Sequence, residues 1–88
     1  MGSHGQVALA DVFAMLKKCL PGWSKEGGVT ETRHNLQIHY GQKTYRGFPA
    51  GQHGKRPGRA MIQKGHVKDL AAFFDIGLCA KGKLEILR

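Results

Sequence analysis

Asn35-Leu36-Gln37-Ile38-His39-Tyr40-Gly41-Gln42-Lys43-Thr44-Tyr45-Arg46-Gly47-Phe48 is the stretch that decides the fold of this chain. Its first six residues alternate polar and apolar, so Leu36 and Ile38 share one face of a strand while Gln37 and His39 share the other. Gly41-Gln42 supplies a two-residue turn, with glycine where a left-handed backbone is needed. Lys43 to Phe48 then returns as the second strand of a hairpin. An earlier strand is expected between Trp23 and Thr32, where Val29 and Thr30 favour extended backbone and Gly27-Gly28 marks a turn or bulge.

A sheet with one apolar face needs a cover, and the flanking sequence supplies it. Residues 7–20 carry Leu9, Val12, Phe13, Leu16 and Leu20 at three- and four-residue spacing, which predicts an amphipathic helix. Asp11 near its start and Lys17-Lys18 near its end complement the helix dipole, and Pro21-Gly22 stops it. A second helix carries Val67, Leu70, Ala71 and Phe74 on one face, with Phe73 adjacent and Gly77 as the left-handed residue past its end. Residues 49–60 read as a mobile basic loop, rich in Gly and Pro. The tail Lys83-Leu84-Glu85-Ile86-Leu87 reads as a short edge strand or an extended arm. The expected architecture is a two-layer α+β domain: an antiparallel sheet of about three strands, two helices on one face, and the other face turned to solvent or a partner.

The chain has 88 residues, with 14 Lys+Arg against 6 Asp+Glu, hence a net charge of +8. That length bounds it to a single domain over residues 7–88, with Met1-Gly2-Ser3-His4 reading as a tag remnant within a disordered 1–6 segment. No apolar run reaches the roughly 20 residues of a membrane span. Cys19 and Cys79 are too few for a disulfide scaffold and read as small core residues suited to a reducing cytoplasm. The charge is segregated. Residues 32–68 hold Arg33, Lys43, Arg46, Lys55, Arg56, Arg59, Lys64 and Lys68 and no acid, while the rest of the chain balances to zero. Concentrated cations of this kind bind phosphate by releasing condensed counterions.

Several chemistries lack their residues. The sequence has no P-loop, no dinucleotide fingerprint, no HExxH and no cysteine pair at metal-ligand spacing, so no metal and no cofactor are expected. Histidine is the remaining proton-transfer group near neutral pH. His34 follows Arg33 at the head of the central strand; His39 lies on the face opposite Leu36 and Ile38. His53 falls in the loop, and His66 at the entrance to the second helix, where it helps begin that helix. A histidine beside fixed cations is suited to cleaving RNA without metal. The base takes the proton of the 2′-hydroxyl, which attacks its own phosphodiester, and the cations stabilise the transition-state charge.

The Pro21-Gly22-Trp23 helix end, the segment Arg33-His34-Asn35-Leu36-Gln37-Ile38-His39, the hairpin closing in Phe48-Pro49 and the run Ile62-Gln63-Lys64-Gly65-His66-Val67-Lys68-Asp69-Leu70 together resemble the HicA family of bacterial toxins. The resemblance spans roughly residues 7–77. It implies an α-β-β-β-α fold like that of double-stranded-RNA-binding domains, an mRNA-cleaving activity, and an acidic HicB-like antitoxin as partner. Carried over by position, its catalytic histidine is His34. The family's small residue before that histidine is replaced here by Thr32-Arg33, and strict alternation turns His34 to the core side. A bulge near residues 33–35 would turn it outward; without one, His39 is the better-placed candidate. Two other readings use the same surface: a non-catalytic nucleic-acid-binding module of the same fold, and a basic protein-interaction module.

Overall fold

The computed structural model describes residues 5–33, 35–49 and 61–87. The element order is β1 (Gln6–Ala8), α1 (Leu9–Cys19), α2 (Lys25–Gly28), β2 (Val29–Glu31), β3 (Asn35–Tyr40), β4 (Lys43–Pro49), β5 (Met61–Gln63), α3 (Lys64–Phe73), α4 (Gly77–Lys83) and a final 3₁₀ turn (Glu85–Leu87). The class is α+β. An antiparallel sheet of order β2-β3-β4 is accompanied by a two-stranded antiparallel ribbon, β1-β5.

The expected hairpin forms around Gly41, whose φ of 61° is the left-handed conformation the turn requires. Tyr40 pairs with Lys43, His39 with Thr44 and Ile38 with Tyr45. The register then slips: Leu36 pairs with Phe48, so Arg46 and Gly47 together oppose Gln37. Gly47 takes a φ of 78° at this bulge. The extra residue restores the parity of β4, so that Phe48 joins Leu36 and Ile38 in the core instead of pointing outward. This irregularity lies on β4, the strand paired with β3. The Thr32 amide donates to the Asn35 carbonyl at 2.8 Å, and the Asn35 amide donates to Thr32 Oγ1 at 3.0 Å; the bulge expected near residues 33–35 falls on His34, outside the described residues. The alternation of β3 therefore begins only at Asn35.

The helices supply the core as their spacing predicted. Leu9, Val12, Leu16 and Leu20 from the first helical segment are buried, as are Val67, Leu70, Ala71 and Phe74 from the second. Met15 joins them. Trp23 is buried beyond the end of α1 and donates its indole N–H to the His39 carbonyl at 3.1 Å. A Cβ built on Gly28 would overlap the Trp23 indole, so glycine is required there by close packing.

Several expectations are corrected. Residues 7 and 8 belong to a strand, not to the first helix: Val7 pairs with Ile62 and Ala8 with Met61, and Gln6 pairs with Gln63. Three-residue strands give too few positions for periodicity to register, and this ribbon joins segments more than 50 residues apart. Lys25–Gly28 forms a helical turn where only a turn or bulge was expected. Gly77 is not the left-handed residue after α3; Asp75 takes that conformation, with φ of 58°, and Gly77 opens α4. The tail is neither strand nor arm. It is helical, and Ala80, Leu84 and Leu87 are buried in the core; with α2, four α-helices stand among the described residues where two were expected.

Cys19 and Cys79 are likewise not a pair of buried thiols. They form a disulfide between α1 and α4, with the Cα atoms 5.8 Å apart and 60 residues between them in sequence. The two half-buried cysteines meet because α4 folds back along α1. Two cysteines joined in a disulfide carry no expectation of a reducing compartment. No helix among the described residues is long and apolar enough to cross a membrane. Most of the loop expected at 49–60 lies outside the described residues, Pro49 being the last residue of β4.

Candidate functional site

Leu36, Ile38 and Phe48 turn one face of the β2-β3-β4 sheet into the helix-covered core. The opposite face carries Asn35, Gln37 and His39 from β3, Thr30 from β2, and Thr44 and Arg46 from β4. Apart from Pro49, paired with Asn35 at the end of β4, these positions are polar, which is the pattern of a sheet face in contact with water.

His39 occupies the middle of this face. Its Nδ1 lies 3.0 Å from Thr44 Oγ1, the residue directly opposite on β4. Its Nε2 lies 2.8 Å from Thr30 Oγ1 on β2. Thr30 pairs with Gln37, so the imidazole reaches it along the diagonal, a span that long side chains bridge across neighbouring strands. The backbone carbonyl of the same residue receives the Trp23 indole N–H. One side chain is thus tied to both flanking strands and its main chain to the buried tryptophan. The two hydroxyl contacts differ in setting: the Thr44 contact is partly buried and the Thr30 contact is exposed.

Among the described residues, the cations of the basic window lie on more than one side of the sheet. Arg46 shares the polar sheet face with His39. Lys43 takes the other side: its Nζ lies 3.5 Å from the Phe73 carbonyl and 5.9 Å from the centre of the Phe73 ring. Lys64 and Lys68 lie in the first half of α3, a helix about 15 Å long, with Phe73 at its far end. Arg33 is exposed in the turn between β2 and β3. His34, which the resemblance singles out, lies outside the described residues, as do His53, Lys55, Arg56 and Arg59. His66 is exposed in the first turn of α3.

Thr30 and Thr44 are the members of this constellation that sequence reasoning passed over. Thr44 was within reach, because a two-residue turn at Gly41-Gln42 sets it opposite His39. Thr30 was not, because its neighbours depend on the β2-β3 register.

Beside the sheet, Tyr45 packs edge-on against Phe48 and Phe73, with centroids 6.1 and 5.3 Å apart. Burial there raises the Tyr45 pKa above its ordinary value of 10.0, and the Asp69 carboxylate adds to the effect. A groove of about 860 Å³ runs between β1, α1 and residues 83–86, and His39 does not line it. Among the described residues no group of three or more His, Cys, Asp or Glu side chains gathers as a metal site would require. The chain matches no protein-family model, no curated protein and no solved structure with which it was compared.

Proposed function

We propose that this chain binds RNA on the polar face of the β2-β3-β4 sheet and cleaves it by histidine-assisted, metal-independent attack of the 2′-hydroxyl on the adjacent phosphodiester. On this reading it is the mRNA-cleaving toxin of a toxin–antitoxin pair, of the HicA type, restrained by an acidic HicB-like protein. The observation that carries the reading is the placement of His39 on an exposed polar sheet face, held by hydroxyls of both neighbouring strands, with Arg46 further along the same face. The order of α1, three antiparallel strands and α3 is compatible with the double-stranded-RNA-binding-domain-like fold that the resemblance implies. His34 is the first candidate for the proton acceptor and His39 the second. Arg33, Lys43, Arg46, Lys55, Arg56, Arg59, Lys64 and Lys68 are the candidate phosphate contacts; Arg46 meets RNA on the polar face, and Lys43, on the helix side, meets only RNA that runs past the sheet edge.

The test is incubation of the purified protein with single-stranded RNA in excess chelator. Cleavage is expected, together with intact product when the 2′-hydroxyl at the cleaved position is removed. His34→Ala and His39→Ala identify which imidazole the reaction uses. RNA that stays intact with the wild-type protein refutes the activity.

A second reading is favoured by one feature. Both nitrogens of His39 already have hydroxyl partners, which is how a histidine that only staples a sheet also looks. This is the non-catalytic nucleic-acid-binding module. It predicts binding that weakens steeply with salt and leaves RNA whole, with a salt slope reduced by about one for each phosphate-contacting cation removed.

A further inference from the structure

We propose that Thr44 is a positioning residue that holds the His39 imidazole with its proton on Nδ1, and that the Thr30 hydroxyl marks the spot on Nε2 where a substrate hydroxyl binds. This rests on the RNA-cleavage reading and assigns its chemistry to particular atoms.

The argument begins with the two contacts on the ring. A neutral imidazole has one N–H and one lone pair, so one threonine must accept and the other must donate. The two are not equivalent. Thr44 faces His39 directly across the hairpin, and its contact with Nδ1 is partly buried. Thr30 sits on β2, an outer strand of the sheet, is itself exposed, and meets Nε2 at the surface. The Nε2 side is the more open of the two to an incoming molecule. For Nε2 to take a proton its lone pair must be free, which requires the hydrogen on Nδ1 and Thr44 as acceptor. The Thr30 O–H then donates to Nε2 as a hydroxyl of the substrate would, and leaves when that hydroxyl arrives.

The His39 main chain strengthens the case for a preset ring. The Trp23 indole fixes the carbonyl of His39, and Gly28 is kept free of a side chain so that the indole can sit there. A ring tethered at its backbone and at Nδ1 has little freedom left, and a preset base is what proton transfer needs. The substrate class follows from the site: a hydroxyl vicinal to a phosphodiester, which a ribose polymer has and a deoxyribose polymer lacks. Arg46, on the same face, is the cation for the phosphate.

The step balances as follows. The 2′-hydroxyl gives its proton to Nε2 and its oxygen bonds to phosphorus. The bond from phosphorus to the 5′-oxygen breaks, and that oxygen takes a proton from water. The imidazolium, donating from both nitrogens, releases the gained proton to solvent.

The experiment pairs nitrogen NMR of the free protein with cleavage of a single-stranded RNA in chelator. In the wild type, His39 is expected as the Nδ1–H tautomer at a pH where the ring is neutral. Thr44→Val should move the proton to Nε2 and lower kcat at least tenfold with KM little changed. Thr44→Ser should restore both tautomer and rate. Thr30→Ala should leave the Nδ1–H tautomer in place, because the Thr44 contact is untouched. A wild-type ring protonated on Nε2 when neutral, or a Thr44→Val protein that cleaves normally, overturns the assignment. Cleavage that survives His39→Ala but is lost in His34→Ala overturns the His39 site and leaves the RNA-cleaving function standing. Absence of cleavage by the wild type, with the RNA still bound, overturns the function itself.

Discussion

Removing the Cys19–Cys79 disulfide tests how this small core is held together. The bond closes a loop with a sequence separation of 60 residues. In the chain-entropy treatment, a loop of that length restricts the unfolded chain by about 14 cal/mol/K, or about 4 kcal/mol at 25 °C. A chain of 88 residues has a total stability of roughly 4–13 kcal/mol at typical per-residue values, so the bond accounts for a large share of it. The effect should also be local. Besides the bond, α4 contributes Ala80 as its buried residue, and Leu84 and Leu87 anchor the turn that follows. We expect the Cys19→Ala/Cys79→Ala protein to lose about 4 kcal/mol in urea unfolding and to melt at least 15 °C lower at roughly 4 °C or more per kcal/mol. The same loss is expected when the wild-type protein is reduced. Hydrogen exchange should show α4 and the final turn losing protection before the β3-β4 hairpin does. Equal unfolding midpoints for the oxidised and reduced proteins would refute the reasoning. So would two free thiols in the protein under non-reducing conditions.

Three further outcomes follow from packing and charge. Gly28→Ala forces a methyl group into the Trp23 indole, so we expect a loss of about 1–3 kcal/mol and altered emission of the only tryptophan, which fluorescence-detected unfolding reads directly. Phe48→Ala empties a fully buried site and should destabilise by about 3–5 kcal/mol, whereas Phe73→Ala, at a position 40 % exposed, should lose clearly less; a matched pair of urea curves decides. Tyr45 is held as a neutral phenol by burial and by Asp69, so its folded pKa exceeds the unfolded one. The associated stability is complete below pH 10.0 and is lost as pH rises through the folded value. Tyr45→Phe should therefore flatten the alkaline loss of stability, and an unchanged slope in that variant would show that other groups drive it.

The β3-β4 hairpin was legible residue by residue because its information is local. Alternation set the faces of Leu36, Ile38 and His39, and Gly41-Gln42 set the turn. The helix faces were legible for the same reason: 3.6-residue periodicity places Leu9, Val12, Leu16, Val67 and Leu70 without knowledge of any partner. The bulge at Arg46-Gly47 was not, since the alternation of β4 alone gives no sign that an extra residue carries Phe48 back to the core. The tail failed for a different reason. Leu84, Ile86 and Leu87 are too few to show a period, and their burial depends on where α1 and α3 leave room.

The candidate site divides along the same line. By itself, the sequence determined that this is a small α+β chain with its net charge confined to residues 32–68, and that His39 and Leu36 face opposite ways. Tertiary structure alone decided that Lys43 and Arg46 of the basic window lie on opposite sides of the sheet, that Thr30 and Thr44 close on one imidazole, and that two cysteines 60 residues apart are bonded. The physical reason is range. Periodicity and turn chemistry act over a few residues, whereas strand register and helix docking are settled by contacts between segments far apart in the chain.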